Sequence, residues 1–197
     1  MTGVQTCALP IFVDISAPIK ILFLAATPMD QKPLNTGLES QFENLIRTYD
    51  DEKRFKVIQK HGVSPENFHN EIISVRPSIV HYGGHGDKEG IVLQGKNLQA
   101  DVLTRILKLS KKTQCVVLNA CNSLAIAKAA AEYVPYVVGT QDKIDDNTAI
   151  AFVQGFYMGI ISDMTIEEAF ENGLAVIKRE GLPDADVLVL VKGVQKV

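Results

Sequence analysis

Two side chains in this sequence stand where a nucleophile and a base would be useful: His85, in HYGGHG, and Cys121, in VVLNAC. A thiolate attacks an amide carbonyl well, and a neighbouring imidazole can lower the thiol's pKa or take its proton, then protonate the departing amine. Either residue alone has a simpler reading, the cysteine as a small buried hydrophobe and the histidine as a structural loop residue. Together, each at the end of its own apolar run, they describe a cysteine-peptidase pair. Gly86 lets the backbone come close to a substrate, and its N–H is a candidate donor to the scissile carbonyl oxygen. The N–H of Cys121, read as opening a helix whose dipole favours negative charge, is the second. One such donor is typically worth ~3 kcal/mol of transition-state stabilisation.

The pair works only if the elements bring it together. Ile19 to Ala26 (IKILFLAA) is a continuous apolar run, the pattern of a strand buried on both faces. Thr36 and Glu39 form a capping box for a helix striped by Leu38, Phe42, Leu45 and Ile46. Phe55 to Ile58 reads as a second strand. Ser64 and Pro65 supply an N-cap and first-turn proline for a helix carrying Phe68, Ile72 and Val75. Pro77 ends it, and Ser78 to Tyr82 is the third strand, broken off by Gly83 and Gly84. Gly90 to Leu98 reads as a hairpin, and Asp101 to Ser110 as an amphipathic helix. Gln114 to Ala120 is the fourth strand, followed by a helix over Ser123 to Tyr133 and a fifth strand at Tyr136 to Gly139. Helices around Thr148 to Ile161 and Thr165 to Arg179 precede a last strand within Asp184 to Val191. Strands alternating with helices predict an α/β fold, a mostly parallel sheet of about six strands covered on both faces. Ligands bind beyond the carboxyl ends of such strands, where His85 and Cys121 fall if the third and fourth strands are neighbours.

Composition narrows the class. The chain has 197 residues, 46% hydrophobic and 22% charged, with a formal net charge of −3. That suits one soluble domain, gives nucleic acid no electrostatic footprint, and provides no apolar stretch long enough for a membrane. Thr2 to Ile11 (TGVQTCALPI) resembles the in-frame translation of a short-read sequencing adapter. Residues 1–12 are therefore set apart as a non-native extension, with residues 13–197 as the domain and an upstream module expected to be missing. Setting Cys7 aside leaves Cys115 and Cys121, read as ~20 Å apart along one strand and so beyond disulfide reach. A reducing cytoplasm is the expectation. His81, inside a strand, reads as a packed histidine, and its spacing from His85 makes no metal site across Gly83–Gly84.

The segments IVHYGGHG and VVLNACNS closely resemble the signature motifs of the CHAT-domain family of caspase-like peptidases. Gly90 to Leu93, Val134 to Ile160, IEEAFENG and GLPDADVLVL are similar to the same family. The resemblance implies a caspase-haemoglobinase-like three-layer sandwich and peptide-bond hydrolysis without cofactor or metal. In it His85 is the general acid–base, Cys121 the nucleophile, and Gly86 with the Cys121 backbone the oxyanion hole. It further implies a protein or peptide substrate and a regulated role, joined to sensor or adaptor modules, in bacterial signalling or defence. In related peptidases the residue two before the nucleophile and the loop after the first strand line the pocket for the residue preceding the cut. Here these are Asn119 and Thr27 to Asp30. Paracaspase and metacaspase relatives carry aspartate where this chain has Asn119, and they prefer basic residues. Asp30, Asp145 and Asp146 are candidate sources of negative charge, against a simpler reading as solvated loop carboxylates or helix caps. Two other functions stay open: a catalytically silent interaction domain of the same fold, and a nucleotide-binding domain, which would need a glycine-rich loop where ATPMDQKPLN stands.

Overall fold

A computed structural model of the chain describes residues 18–25, 44–50, 53–87, 89–94 and 96–193. The 1–12 boundary, Asp30 and the Thr36–Glu39 capping box lie outside these residues. Among the described residues, β1 (Ile19–Ala25), β2 (Phe55–His61), β3 (Ile79–Gly83), β6 (Cys115–Asn119), β7 (Tyr136–Thr140) and β8 (Leu188–Lys192) form a six-stranded main sheet, in the order β2-β1-β3-β6-β7-β8. All neighbours are parallel except β8, which runs antiparallel to β7. A separate antiparallel hairpin joins β4 (Gly90–Leu93) and β5 (Lys96–Gln99). The helices are α1, described over residues 44–49, then α2 (Pro65–Val75), α3 (Ala100–Leu109), α4 (Leu124–Ala130), α5 (Asp146–Ile161) and α6 (Ile166–Arg179).

Alternation along each strand divides the core into two layers. Leu22, Leu24, Val80, Tyr82, Val116, Leu118 and Val137 face α2, α3, α4 and the hairpin. Ile21, Phe23, Ile79, Cys115, Val117 and Val138 face α5 and α6. With apolar residues on both faces, the strands have to be sandwiched, and the expected three-layer arrangement follows. The last two helices pack at close range: a methyl group added at Gly173 would lie 2.6 Å from the Phe152 ring. Local signals set the helix starts. Ser64 Oγ accepts the N–H of Asn67 ahead of Pro65, and Thr165 with Glu168 forms a reciprocal capping box.

The helix expected at Ser123 starts later and ends sooner, at Leu124 and Ala130. Cys121 does not open it; the cysteine sits in a turn of three residues before the helix. The expected contribution of a helix dipole at its N–H is therefore corrected. Cys121 likewise lies beyond β6 rather than on it, while Cys115 begins that strand.

Candidate active site

The third and fourth parallel strands of the expectation, β3 and β6, are hydrogen-bonded neighbours in register, with Gly83 opposite Asn119. His85 and Cys121 each come two residues after that pair, so both chains leave the sheet side by side at its carboxyl edge. The Gly84 N–H donates to the Asn119 carbonyl at 3.2 Å, holding the loops together where they part from the strands. Gly86 carries the contact further. A methyl group there would meet Ala120 Cβ at 3.0 Å and the Cys121 carbonyl oxygen at 3.3 Å, so only glycine sits here without crowding the cysteine turn.

His85 is half-buried, and its Nε2 is buried with no hydrogen-bond partner among the described residues. A polar atom in that condition calls for an explanation, and a role toward a reacting group is one. No hydrogen bond joins the imidazole to the Cys121 thiol among the described residues. Both follow the same carboxyl edge of the sheet, and hydrogen bonds between catalytic groups often tighten only when substrate binds. Neither the Gly86 nor the Cys121 N–H donates to any group among the described residues, so both are available to a carbonyl oxygen.

The histidine loop is braced from below. The buried Tyr82 hydroxyl lies 2.9 Å from the His85 carbonyl and 2.8 Å from the Val92 carbonyl, its single proton shared between them. The Val92 N–H donates to the His85 carbonyl at 2.9 Å, so the hairpin strand β4 carries the loop. The cysteine turn is braced from β7 through Ser123 and Thr140, both fully buried. Asn122, next to Cys121, takes a left-handed φ of 54°, which asparagine tolerates better than most residues. Its N–H donates to the Asp142 carbonyl at 3.2 Å. Tyr82, Asn122, Ser123, Thr140 and Asp142 were not singled out from the sequence. Most of their partners are distant in the chain, and only Asn122 and Ser123 carry a local hint, as turn-formers directly after the cysteine.

The specificity candidates separate. Asn119 ends β6, half-buried, with its carbonyl engaged by Gly84. Asp145 caps α5, its Oδ1 accepting the N–H groups of Asn147 at 2.9 Å and Thr148 at 3.4 Å. Asp146 occupies the first turn of the same helix and is exposed. For Asp145, the cap reading is the one the geometry favours.

His81 is a core histidine. It lies fully buried against Phe23 and Tyr157, with Nδ1 3.0 Å from the Tyr157 hydroxyl. Burial pushes its pKa down to about 3. An unfolded chain would protonate this ring near the usual ~6.5, so the stability it contributes is present above that value and is lost as pH falls toward the folded value. Between about pH 7 and about pH 4.5 the expected loss is roughly 2–3 kcal/mol. Urea unfolding of His81→Gln beside the parent at both pH values checks it: the variant should lack that increment, and parallel pH curves would refute it.

A family model described as the CHAT domain matches residues 37–178. Two curated relatives, each described as a Roc-COR-CHAT protease, align with most of the chain. The one from Runella zeae is 30% identical over 169 residues, covering 79% of this chain. The other, from an unknown prokaryotic organism, is 23% identical over 179 residues, covering 83%. The chain spans 17% of the length of each. Among solved structures, the Arg-specific cysteine proteinase gingipain R superposes with a TM-score of 0.64 over 88% of this chain and 46% of that one, at 13% identity. This is a likeness of fold, and it bears out the expected caspase-haemoglobinase-like sandwich.

Proposed function

This chain belongs to the CHAT domain family of caspase-like peptidases, and from that premise we propose that it is a cysteine endopeptidase with Cys121 as nucleophile and His85 as general acid–base. The observation that supports this most is the shared register of β3 and β6, which sends both residues off one edge of the sheet at the same height. In the reading, His85 takes the Cys121 thiol proton, the sulfur adds to a peptide carbonyl carbon and the carbonyl oxygen gains the electron pair. The free N–H groups of Gly86 and Cys121 hold that oxyanion. His85 gives a proton to the departing amine as the C–N bond breaks. It then takes a proton from water, whose oxygen adds to the thioester carbon; the C–S bond breaks, the acid leaves and the proton returns to the sulfur. The half-buried, unpartnered imidazole suits a group that must exchange protons within a partly dry crevice.

The substrate is a protein segment that fits extended into this crevice, with Asn119 and, for a basic side chain, Asp30, Asp145 and Asp146 as specificity candidates. Asp145 is the weakest of them, its carboxylate being occupied by the helix start. Activity under the control of other modules, in a bacterial cytoplasmic signalling or defence pathway, belongs to the same proposal. It draws on the two relatives, of which this chain spans only a small part.

A catalytically silent interaction domain is the second reading, favoured by the absence of a hydrogen bond between His85 and Cys121 among the described residues. Thiol chemistry separates the two. Cys115 is fully buried and burial pushes its thiol pKa up, so it should resist electrophiles; Cys121 is half-buried. Treatment with iodoacetamide followed by peptide mapping is expected to modify Cys121 at least about tenfold faster than Cys115. The Cys121 rate itself should fall in His85→Ala. Labelling of Cys121 that ignores His85 would favour the silent domain.

A further inference from the structure

The peptide unit between Ala120 and Cys121 has two ends with different neighbours. Its carbonyl accepts the Thr140 hydroxyl at 2.6 Å. Its N–H, the candidate oxyanion donor, has no partner among the described residues. In a planar trans peptide these two groups point in opposite directions, so fixing one fixes the other. A hydrogen bond to the carbonyl also polarises the unit and strengthens its N–H as a donor.

Thr140 is itself held. Its N–H donates to Ser123 Oγ at 3.0 Å, and that hydroxyl in turn reaches the Leu118 carbonyl at 3.3 Å. Both side chains are fully buried. The β6–β7 ladder pairs Cys115, Val116 and Val117 with Tyr136, Val137 and Val138 and stops there. Beyond it, where the chain must leave the sheet to present Cys121, the Ser123 and Thr140 hydroxyls take over the backbone carbonyls that the ladder no longer serves. Gly139 permits the close approach: a methyl group there would lie 2.8 Å from Ala127 Cβ and 3.4 Å from Ser123 Oγ.

We propose that Thr140 is a positioning residue for the oxyanion hole, its hydroxyl orienting and polarising the Ala120–Cys121 peptide so that the Cys121 N–H faces the reacting carbonyl. The inference rests on the dyad reading with Cys121 as nucleophile. Two probes distinguish an effect on the oxyanion from an effect on the thiol. 4-Nitrophenyl acetate acylates a thiolate by addition to its carbonyl: a C–S bond forms, the oxygen takes the charge, and collapse expels 4-nitrophenolate. Iodoacetamide alkylates the same sulfur by displacing iodide, with no oxyanion.

In Thr140→Val, which keeps the branched shape without the hydroxyl, acylation of Cys121 is expected to slow roughly 10- to 100-fold, short of the 10²–10³-fold typical when a donor is lost outright. Alkylation should stay within about twofold of the parent, showing the turn still folded, and Thr140→Ser should recover acylation to within about threefold. Unchanged acylation in Thr140→Val overturns the inference. So does an equal slowing of both reactions, which would make Thr140 a prop for the turn alone. A parent protein that is alkylated at Cys121 yet never acylated there removes the dyad reading instead.

Discussion

Cys121→Ala should abolish peptide cleavage, reducing kcat/KM by roughly 10⁴-fold or more, and His85→Ala should come within about tenfold of that loss. The double variant should be no worse than Cys121→Ala, because nucleophile and base act as one unit and removing either leaves only binding and the oxyanion donors. The measurement is cleavage of a sequence selected from a peptide library by the parent protein. Melting temperatures are expected to show that the variants remain folded, both being partly exposed loop residues whose side chains make no hydrogen bond among the described residues. Cys115→Ala is the useful contrast. That thiol is completely buried in the layer under α5 and α6, so its loss should lower stability while turnover persists. Cleavage that survives Cys121→Ala, or that disappears with Cys115 alone, would move the chemistry away from the β3–β6 edge.

How much of this site was legible beforehand follows from what kind of signal each part carries. SIVHY and QCVVLNA announce buried strands by their own composition, and the short crossover between them makes adjacency the simplest topology, so His85 and Cys121 could be paired before any coordinates. Thr140 and Tyr82 could not be assigned this way. A hydroxyl that bonds a carbonyl 20 residues earlier, or one 10 residues later, leaves no periodicity, and both residues read as ordinary strand members. The misplaced helix start has a related cause. The sequence reading starts the helix at Ser123, but that hydroxyl makes no capping bond; it reaches back to Leu118 and across to Thr140, and the chain stays in a turn until Leu124. Asp145 shows the opposite case, since an aspartate just before a helix carries its cap role in the local pattern. The antiparallel direction of β8 is a tertiary outcome that its apolar run does not encode. Thr27 to Asp30 lie outside the described residues, and their part in specificity stays with the proposal.

The other large effect expected comes from a residue that touches neither the thiol nor the imidazole. Gly90 begins β4 and is buried, opposite Gln99. A methyl group there would collide with Asn97 Oδ1 and with the Leu98 carbonyl oxygen. The asparagine side chain can swing away, but the second contact is backbone of the paired strand, so Gly90→Ala must push β4 and β5 apart at the base of the hairpin. That base carries the histidine loop. The Gly90 carbonyl accepts the Asp87 N–H at 3.0 Å, its N–H donates to Asp87 Oδ1 at 3.0 Å, and Val92 holds the His85 carbonyl. Ile91 and Leu93 anchor the strand in the core with no exposure, so strain at Gly90 is relieved toward the loop rather than by a shift of the whole hairpin. A displacement of about 1 Å at a catalytic group can cost on the order of 10²-fold in rate. Gly90→Ala is therefore expected to lower kcat/KM about 100-fold with a modest drop in melting temperature. Its signature should differ from that of Thr140→Val: moving the imidazole slows iodoacetamide and 4-nitrophenyl acetate alike, because both need the thiolate, whereas removing the threonine hydroxyl slows only the ester. Parent-like rates with both reagents in a folded Gly90→Ala protein would show that the hairpin does not position His85, and would leave Tyr82 as the brace for that loop.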